Sequence, residues 1–330
     1  MQIIVPSRLN LHQSLAIFQL AARTAGFMGR NVILDCSKLE FIDPLGLCVL
    51  QHWLEDLRDR QITVELRNLP HFMEMWLWDM NLFCDLPNVV CEFRRNTPAN
   101  ADRMDDFLEL RSVTDPKDCD RIADDISNAI TRNVSGLSWG PDPEGMRESE
   151  GVMVTQEIAY VFSELLNNAL VHGRTRGWGN ASAKVAAQYF PNLNRLGIAI
   201  VDNGCGLLET LTGHPDMENP ATDLRAIQLA LRPYTSCNPD VGIRHDAANQ
   251  GLGLTMSTQM VLAAGGRIGV FSGRGRLKRR GDDLLVGHME KWQGTAVYLE
   301  VDRQKIADLN CATIARSMPK YQEVPDIQFG

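Results

Sequence analysis

The chain lacks the features of a membrane-inserted or exported protein. No uninterrupted apolar run approaches the roughly 20 residues that a membrane-spanning helix needs. The first residues, MQIIVPSRLNLHQS, also lack the charged-then-apolar order of a signal peptide. We therefore expect a soluble, cytoplasmic protein with no membrane association.

Closely paired cysteines are also missing. The eight cysteines and seven histidines are dispersed along the chain, and no two cysteines form a CxxC pair. This spacing argues against a zinc site. In a long chain without a secretion signal, we expect the thiols to be reduced and to fill space in the core.

Basic residues are fewer than acidic ones. The 330 residues include 33 Lys and Arg against 41 Asp and Glu, which leaves a formal net charge of −8. Because nucleic-acid binding depends on Lys and Arg against phosphate, no nucleic-acid partner is expected. The fractions of hydrophobic (44%) and charged (22%) residues are those of a globular protein, and the length predicts about two domains.

Several common catalytic and nucleotide-binding signatures are absent too. The patterns GxxxxGK[ST], GxSxG and HExxH do not occur. Neither the Gly204/Gly206 pair nor the Gly251/Gly253 pair continues to the third glycine of a dinucleotide fingerprint. The P-loop, hydrolase, metalloprotease and dinucleotide-binding interpretations are therefore set aside.

The composition of the chain shifts near residue 95. Before it, two buried-strand patterns, at 32–34 and 62–66, flank apolar residues at helical spacing. Asp43 can cap that helix, and Pro44 stands at its first position, where a missing N–H costs nothing. We expect an α/β domain over 1–95, a polar linker over 96–112, and a second domain over 113–330.

The first segment with candidate chemistry lies in a helix that is expected to end at Gly173. Glu164 and Asn168 are four residues apart, at one edge of its apolar stripe. A Glu can activate water or another hydroxyl, and an Asn oxygen is a hard ligand suited to Mg²⁺. Taken alone, the pair also fits the ordinary polar edge of an amphipathic helix.

Two further segments combine a buried element with glycines. A buried strand over 196–201 delivers Asp202, and the glycines that follow would let a ligand approach the backbone. Later, Gly251-Leu252-Gly253 leads into an apolar helix, whose free N–H groups favour phosphate. Each segment alone also fits a plain turn.

In this order, ELLNNALVHG, DNGCG, QGLGL and Gly294-Thr295 resemble the nucleotide-binding boxes of the gyrase, chaperone, histidine-kinase and mismatch-repair (GHKL) ATPase superfamily. The first box looks most like that of the anti-sigma-factor kinases. The resemblance implies a Bergerat-type α/β sandwich, with helices on one face of a mixed sheet and with ATP and Mg²⁺ as ligands. It also implies a lid over 207–250 that orders when ATP binds.

The resemblance assigns roles to individual residues. Glu164 would be the general base, and Asn168 would hold Mg²⁺ between the phosphates. Asp202 would accept the adenine amino group, and Thr295 would support Asp202 through a hydroxyl or water. The remaining residues would line the adenine pocket or offer backbone amides to the phosphates: Gly204, Gly206, Gly251, Leu252 and Gly253.

Two departures from the GHKL pattern stand out. Asn249 occupies a position where many members have a further glycine. A polar insertion over 274–283, with five basic residues, separates two expected strands, and we interpret it as a solvated hairpin tip.

The stretch VILDCSKLEFIDPLGL resembles STAS domains such as the anti-sigma antagonists, over roughly residues 1–95. In the phosphorylated members a Ser stands just before the glycine, whereas this chain has Leu45 there. Leucine has no hydroxyl to phosphorylate, and Ser37 lies too far upstream for that motif. The resemblance therefore implies a docking or sensing module that is not a phosphoacceptor.

Three interpretations of the function remain. The favoured one is a regulatory switch in signal transduction, which binds Mg-ATP, orders its lid, changes its affinity for a protein partner and resets by slow hydrolysis. The second is an anti-sigma-type Ser/Thr protein kinase that acts on a separate protein. Leu45 argues against a kinase that phosphorylates its own N-terminal domain. The third is a non-hydrolysing nucleotide-binding protein, against which Glu164 argues. A homodimer is compatible with each of these interpretations.

Overall fold

The computed structural model describes residues 1–91, 107–132, 134–140, 148–174, 177–233, 235, 253–309 and 313–314. Within these ranges the chain forms two main sheets, one parallel and one antiparallel, each with its own set of helices. No helix in the described ranges is both long and apolar enough to cross a membrane.

The N-terminal sheet is parallel throughout. Its strand order is β1-β3-β5-β6. The four strands are β1 (Gln2–Ile4), β3 (Asn31–Asp35), β5 (Thr63–Arg67) and β6 (Val89–Cys91). The connections hold a short parallel pair and three helices: β2 (Arg8–Leu9), β4 (Phe41–Ile42), α1 (Ser14–Thr24), α2 (Pro44–Asp59) and α3 (His71–Asp79).

Helix α2 begins as its sequence predicts. Asp43 Oδ1 accepts a hydrogen bond from Gly46 N at 2.9 Å, and its Oδ2 accepts one from Leu11 N at 2.7 Å. Twelve of the 16 residues of α2 are buried. This exceeds the single apolar stripe of a helix that packs on one neighbour only, so α2 lies between two layers.

The second sheet has the strand order β10-β11-β9-β8-β7, and every neighbouring pair is antiparallel. The expectation of a mixed sheet is therefore wrong. Short connections account for two of the four pairs, because a 3-10 turn over Pro191–Leu193 joins β8 to β9 and a two-residue turn at 281–282 joins β10 to β11, and hairpins pair antiparallel. The strands are β7 (Phe107–Val113), β8 (Ala183–Phe190), β9 (Arg195–Asp202), β10 (Arg267–Arg280) and β11 (Asp283–Asp302).

Strand β7 occupies most of the second half of the expected linker over 96–112. Leu108, Leu110 and Val113 are buried there, and two of them flank Glu109, which pairs with Arg111. An alternating apolar and charged pattern is that of a half-buried strand, so this part of the linker expectation is wrong. Residues 92–106 lie outside the described ranges.

One face of the antiparallel sheet is covered by helices that share its apolar core. These helices are α4 (Cys119–Thr131), α5 (Glu150–Asn167) and α8 (Gly253–Ala263). Helix α5 continues into a π-helical turn over Asn168–His172. Within the expected lid, two further helices are described, α6 (Leu207–Thr210) and α7 (Asp223–Ala230), whereas 236–250 lie outside the described ranges.

The opposite face of this sheet is covered by the N-terminal domain. Helix α1 packs against β11, and α2 packs against β8 and β9. The ring of Phe18 lies 5.2 Å from that of Phe271 and 5.5 Å from that of Trp292, between ring centroids. The antiparallel sheet therefore lies between two helical layers, and one of them belongs to the N-terminal domain.

Candidate functional site

Asp202 is the last residue of β9 and is 5% exposed. Its Oδ1 accepts hydrogen bonds from Gly204 N at 2.9 Å and Thr295 N at 3.1 Å. Among the described residues, these two N–H groups donate to Oδ1 and none donates to Oδ2. The Oδ2 atom is therefore left for another donor. Burial raises the pKa of Asp202 to about 7, although the two backbone hydrogen bonds act to lower it.

Two glycines allow close backbone approach around Asp202. A Cβ at Gly294, where φ is +104°, would lie 2.1 Å from the carbonyl oxygen of Asp202. A Cβ at Gly204 would lie 2.4 Å from the carbonyl oxygen of Gly173. Neither position has room for a side chain, so these glycines are needed to bring three chain segments together.

Two polar residues that the sequence interpretation missed hold the loop after Asp202. Ser272 Oγ donates to Gly294 O at 3.0 Å and accepts from Leu207 N at 2.9 Å. Gln293 Nε2 donates to Gly204 O at 2.7 Å. The place of Ser272 opposite Thr295 follows from the pairing of β10 with β11, which the sequence alone does not show.

Glu164 and Asn168 lie together at the end of α5 and the start of the π-helical turn, both half-buried. A Cβ at Gly253, the first residue of α8, would lie 3.0 Å from Glu164 Cβ and 3.1 Å from Asn168 Nδ2. Burial raises the pKa of Glu164, and the nearby Asp120 carboxylate raises it further. Single π-helical turns within helices are often found at functional sites.

The described residues of the four sequence boxes therefore meet in one region. Cys205 N donates to Gly173 O at 3.0 Å, so the end of the first box contacts the second. Thr295 reaches Asp202 through its backbone N–H, and Gly206 lies against Ser272 Oγ. Gly251, Leu252 and Asn249 lie outside the described ranges.

Behind the site, the N-terminal domain contacts the strand that carries Asp202. His52 Nε2, on α2, lies 2.9 Å from the carbonyl oxygen of Val201. Burial lowers the pKa of His52 to about 3, and the Lys184 ammonium lowers it further. The ring is therefore neutral, and because a carbonyl only accepts, Nε2 carries the proton. Its Nδ1 lies 3.6 Å from Glu55 without forming an ion pair.

A buried ion pair lies next to this histidine. Lys184 Nζ, on β8, is 2.6 Å from Glu55 Oε1, on α2. Their side chains are only 3% and 15% exposed, and Lys184 also donates to Ser112 Oγ on β7. The pair joins the N-terminal domain to the antiparallel sheet within the same layer as His52.

Leu45, which stands where phosphorylated STAS relatives carry a serine, is fully buried in α2. Ser37 is exposed but lies in the turn after β3. The helix that would present a phosphoacceptor is thus enclosed by the chain itself.

Among the described residues, no group of three His, Cys, Asp or Glu side chains is arranged to hold a metal ion.

Comparison with known families identifies the N-terminal domain. Residues 5–89 match the STAS domain family, which confirms the STAS resemblance for this part of the chain. The protein is thus a mixed α/β chain with an N-terminal STAS domain and a C-terminal antiparallel sheet. No curated protein matches the chain.

Proposed function

We propose that the chain is a Mg-ATP-binding regulatory protein that changes its affinity for a protein partner when the lid orders over bound nucleotide. Slow hydrolysis of ATP would reset it. The nucleotide domain would begin at β7 and extend through β11, with the STAS domain attached to the back of its sheet. The arrangement around Asp202 is the observation that carries the proposal.

The carboxylate of Asp202 suits a base that offers a single amino group. Its Oδ1 already accepts two backbone N–H bonds, so only Oδ2 is left for a ligand. Adenine has one exocyclic amino group to donate, whereas guanine would present two adjacent donors and would need both carboxylate oxygens. The geometry therefore favours adenine over guanine.

The phosphate end of the site would lie between α5 and α8. The N-terminal N–H groups of α8 favour negative charge, and Asn168 lies against its first residue, Gly253. Asn168 Oδ1 would be the protein ligand for Mg²⁺, which when bound would neutralise phosphate charge. Gly251 and Leu252 would add backbone amides.

Glu164 supports turnover over passive binding. It lies beside Asn168 and Gly253, and its raised pKa brings it closer to the range in which a carboxylate is an effective base. Because Glu164 is only half-buried, it could also act on the hydroxyl of a partner protein. This half-exposure keeps a Ser/Thr kinase acting on a separate protein as the second candidate.

The STAS domain would link the site to a partner. STAS domains typically mediate protein–protein interactions, and here His52 contacts the residue before Asp202. A partner that shifts α2 would move the strand end that holds Asp202. Since α1 and α2 face the antiparallel sheet, the partner would bind elsewhere on the STAS domain.

The fate of γ-labelled ATP distinguishes these functions. With Mg²⁺ and the full chain, we expect slow release of labelled phosphate, lost in Glu164→Gln and retained in Glu150→Gln, a matched change at the exposed start of α5. Label that appears on a candidate partner protein in place of free phosphate would exclude the switch in favour of the kinase. Absence of both products would exclude turnover.

A further inference from the structure

The hairpin of β10 and β11 extends beyond the rest of its sheet. Strand β11 pairs with β9 only from Ala296 to Asp302. Its first part, from Asp283 to His288, pairs with β10 on one side. On the other side, no strand from the described ranges pairs with it. We refer to residues 273–292 as the arm.

The two edges of the arm differ. Helix α7 lies along the β10 edge, where Arg274 N donates to Asp223 Oδ2 at 2.9 Å. The β11 edge carries three consecutive apolar residues that are each at least 40% exposed: Leu284 (41%), Leu285 (49%) and Val286 (40%). An unpaired strand edge with exposed apolar residues favours the addition of another strand.

We propose that the β11 edge of the arm pairs antiparallel with the same edge of a second copy of this chain, about a two-fold axis at Leu285. A two-fold axis perpendicular to a sheet places residues of the same face opposite each other. With Leu285 on the axis, Leu284 lies opposite Val286 of the copy, and Leu285 lies opposite its own equivalent.

This register is also the one that the charges favour. It places Asp282, at the turn, near His288 of the copy, and it places Asp283 opposite Gly287. An axis at Val286 would instead bring Asp282 opposite Glu290, and like charges opposite each other are destabilising. An axis at Leu284 would place Asp283 against Leu285. The basic β10 strands lie on the outside of the joined sheet, so their side chains do not oppose each other.

The mass of the full chain in solution tests the proposal. By sedimentation equilibrium we expect a concentration-dependent mass that approaches twice the 36.9 kDa of one chain. Leu285→Lys places two ammonium groups at the axis and should give a monomer. Leu193→Lys, at a 68% exposed leucine in the turn between β8 and β9, should leave the dimer unchanged. A monomer at all concentrations, or equal dissociation in both variants, would overturn the proposal.

A disulfide at the axis tests the register. Directly opposite residues of antiparallel strands have Cα atoms roughly 4.5–5.5 Å apart, within disulfide range. Leu285→Cys should form a covalent dimer on mild oxidation. No covalent dimer should form in the Leu193→Cys variant. None should form in the unmodified chain either, although its Cys84 is exposed. Failure of Leu285→Cys to cross-link, or equal yields from the two variants, contradicts the arrangement. Neither test depends on nucleotide binding.

Discussion

Removing the negative charge of Glu55 should destabilise the whole protein, because Glu55 neutralises a buried cation across the domain interface. Its Oε1 lies 2.6 Å from Lys184 Nζ, and the lysine side chain is only 3% exposed. The change Glu55→Gln preserves shape but leaves this ammonium without its counter-charge. Breaking a buried ion pair from one side typically lowers the free energy of unfolding by about 3–5 kcal/mol.

Two comparisons isolate the role of burial. Glu65→Gln removes the same charge from the Glu65–Arg67 pair on β5, whose side chains are 32% and 48% exposed. Because exposed pairs contribute little, we expect an unfolding curve close to that of the unmodified chain. The double change Glu55→Gln with Lys184→Met removes both charges from the interface. It should recover most of the loss, since apolar replacement of a buried pair is often neutral.

Urea unfolding followed by tryptophan fluorescence provides the measurement, because Trp292 lies in the same interface, with its ring centroid 6.2 Å from that of His52. We expect a clearly lower urea midpoint for Glu55→Gln than for Glu65→Gln. Equal midpoints for the two single variants would refute the view that the ion pair holds the STAS domain against the sheet.

Three further predictions concern Asp202 and its neighbours. The pKa of Asp202 is about 7, and a protonated carboxyl oxygen no longer accepts a hydrogen bond from an amino group. ATP should therefore bind roughly tenfold more weakly at pH 6 than at pH 8. A fluorescent ATP analogue measures this affinity, and an affinity that does not change with pH would contradict the prediction. The raised pKa also means that the folded chain keeps a proton that the unfolded chain releases, so this group lowers the free energy of unfolding as the pH rises from about 4 to about 7. Gly294→Ala should destabilise the fold by more than the roughly 1–3 kcal/mol of backbone strain alone, since its Cβ would lie 2.1 Å from Asp202 O. Gly213→Ala, where φ is +91° and the space is open, provides the control in thermal melting, and equal losses would contradict the packing argument.

Local signals in the sequence predicted much of the local structure. Asp43 and Pro44 mark the start of α2 because capping depends on a few adjacent residues. Gly204 was recognisable from its spacing after the buried strand, whereas the distant backbone that it approaches, at Gly173, was not. The mixed sheet, which the GHKL resemblance implied, was wrong because strand direction depends on how the strands are connected and paired, which short motifs do not reveal.

Contacts between the two domains were not predicted. His52 and Val201 are 149 positions apart, and no pattern in either stretch indicates the other. One signal was available, since α2 is apolar on more than one face, which is typical of a helix enclosed between two layers. Residues 274–283 were interpreted as a solvated hairpin tip because their basic residues mask the strand alternation, which bulges near Gly273 and Gly275 also interrupt.

Isothermal titration calorimetry of the full chain with ATP in the presence of Mg²⁺ tests the central claim most directly. We predict saturable binding of one nucleotide per chain. Binding should be lost in Asp202→Asn and retained in Asp308→Asn, a matched change at an exposed carboxylate. Absence of binding heat in the unmodified chain, or undiminished binding in Asp202→Asn, would contradict the account.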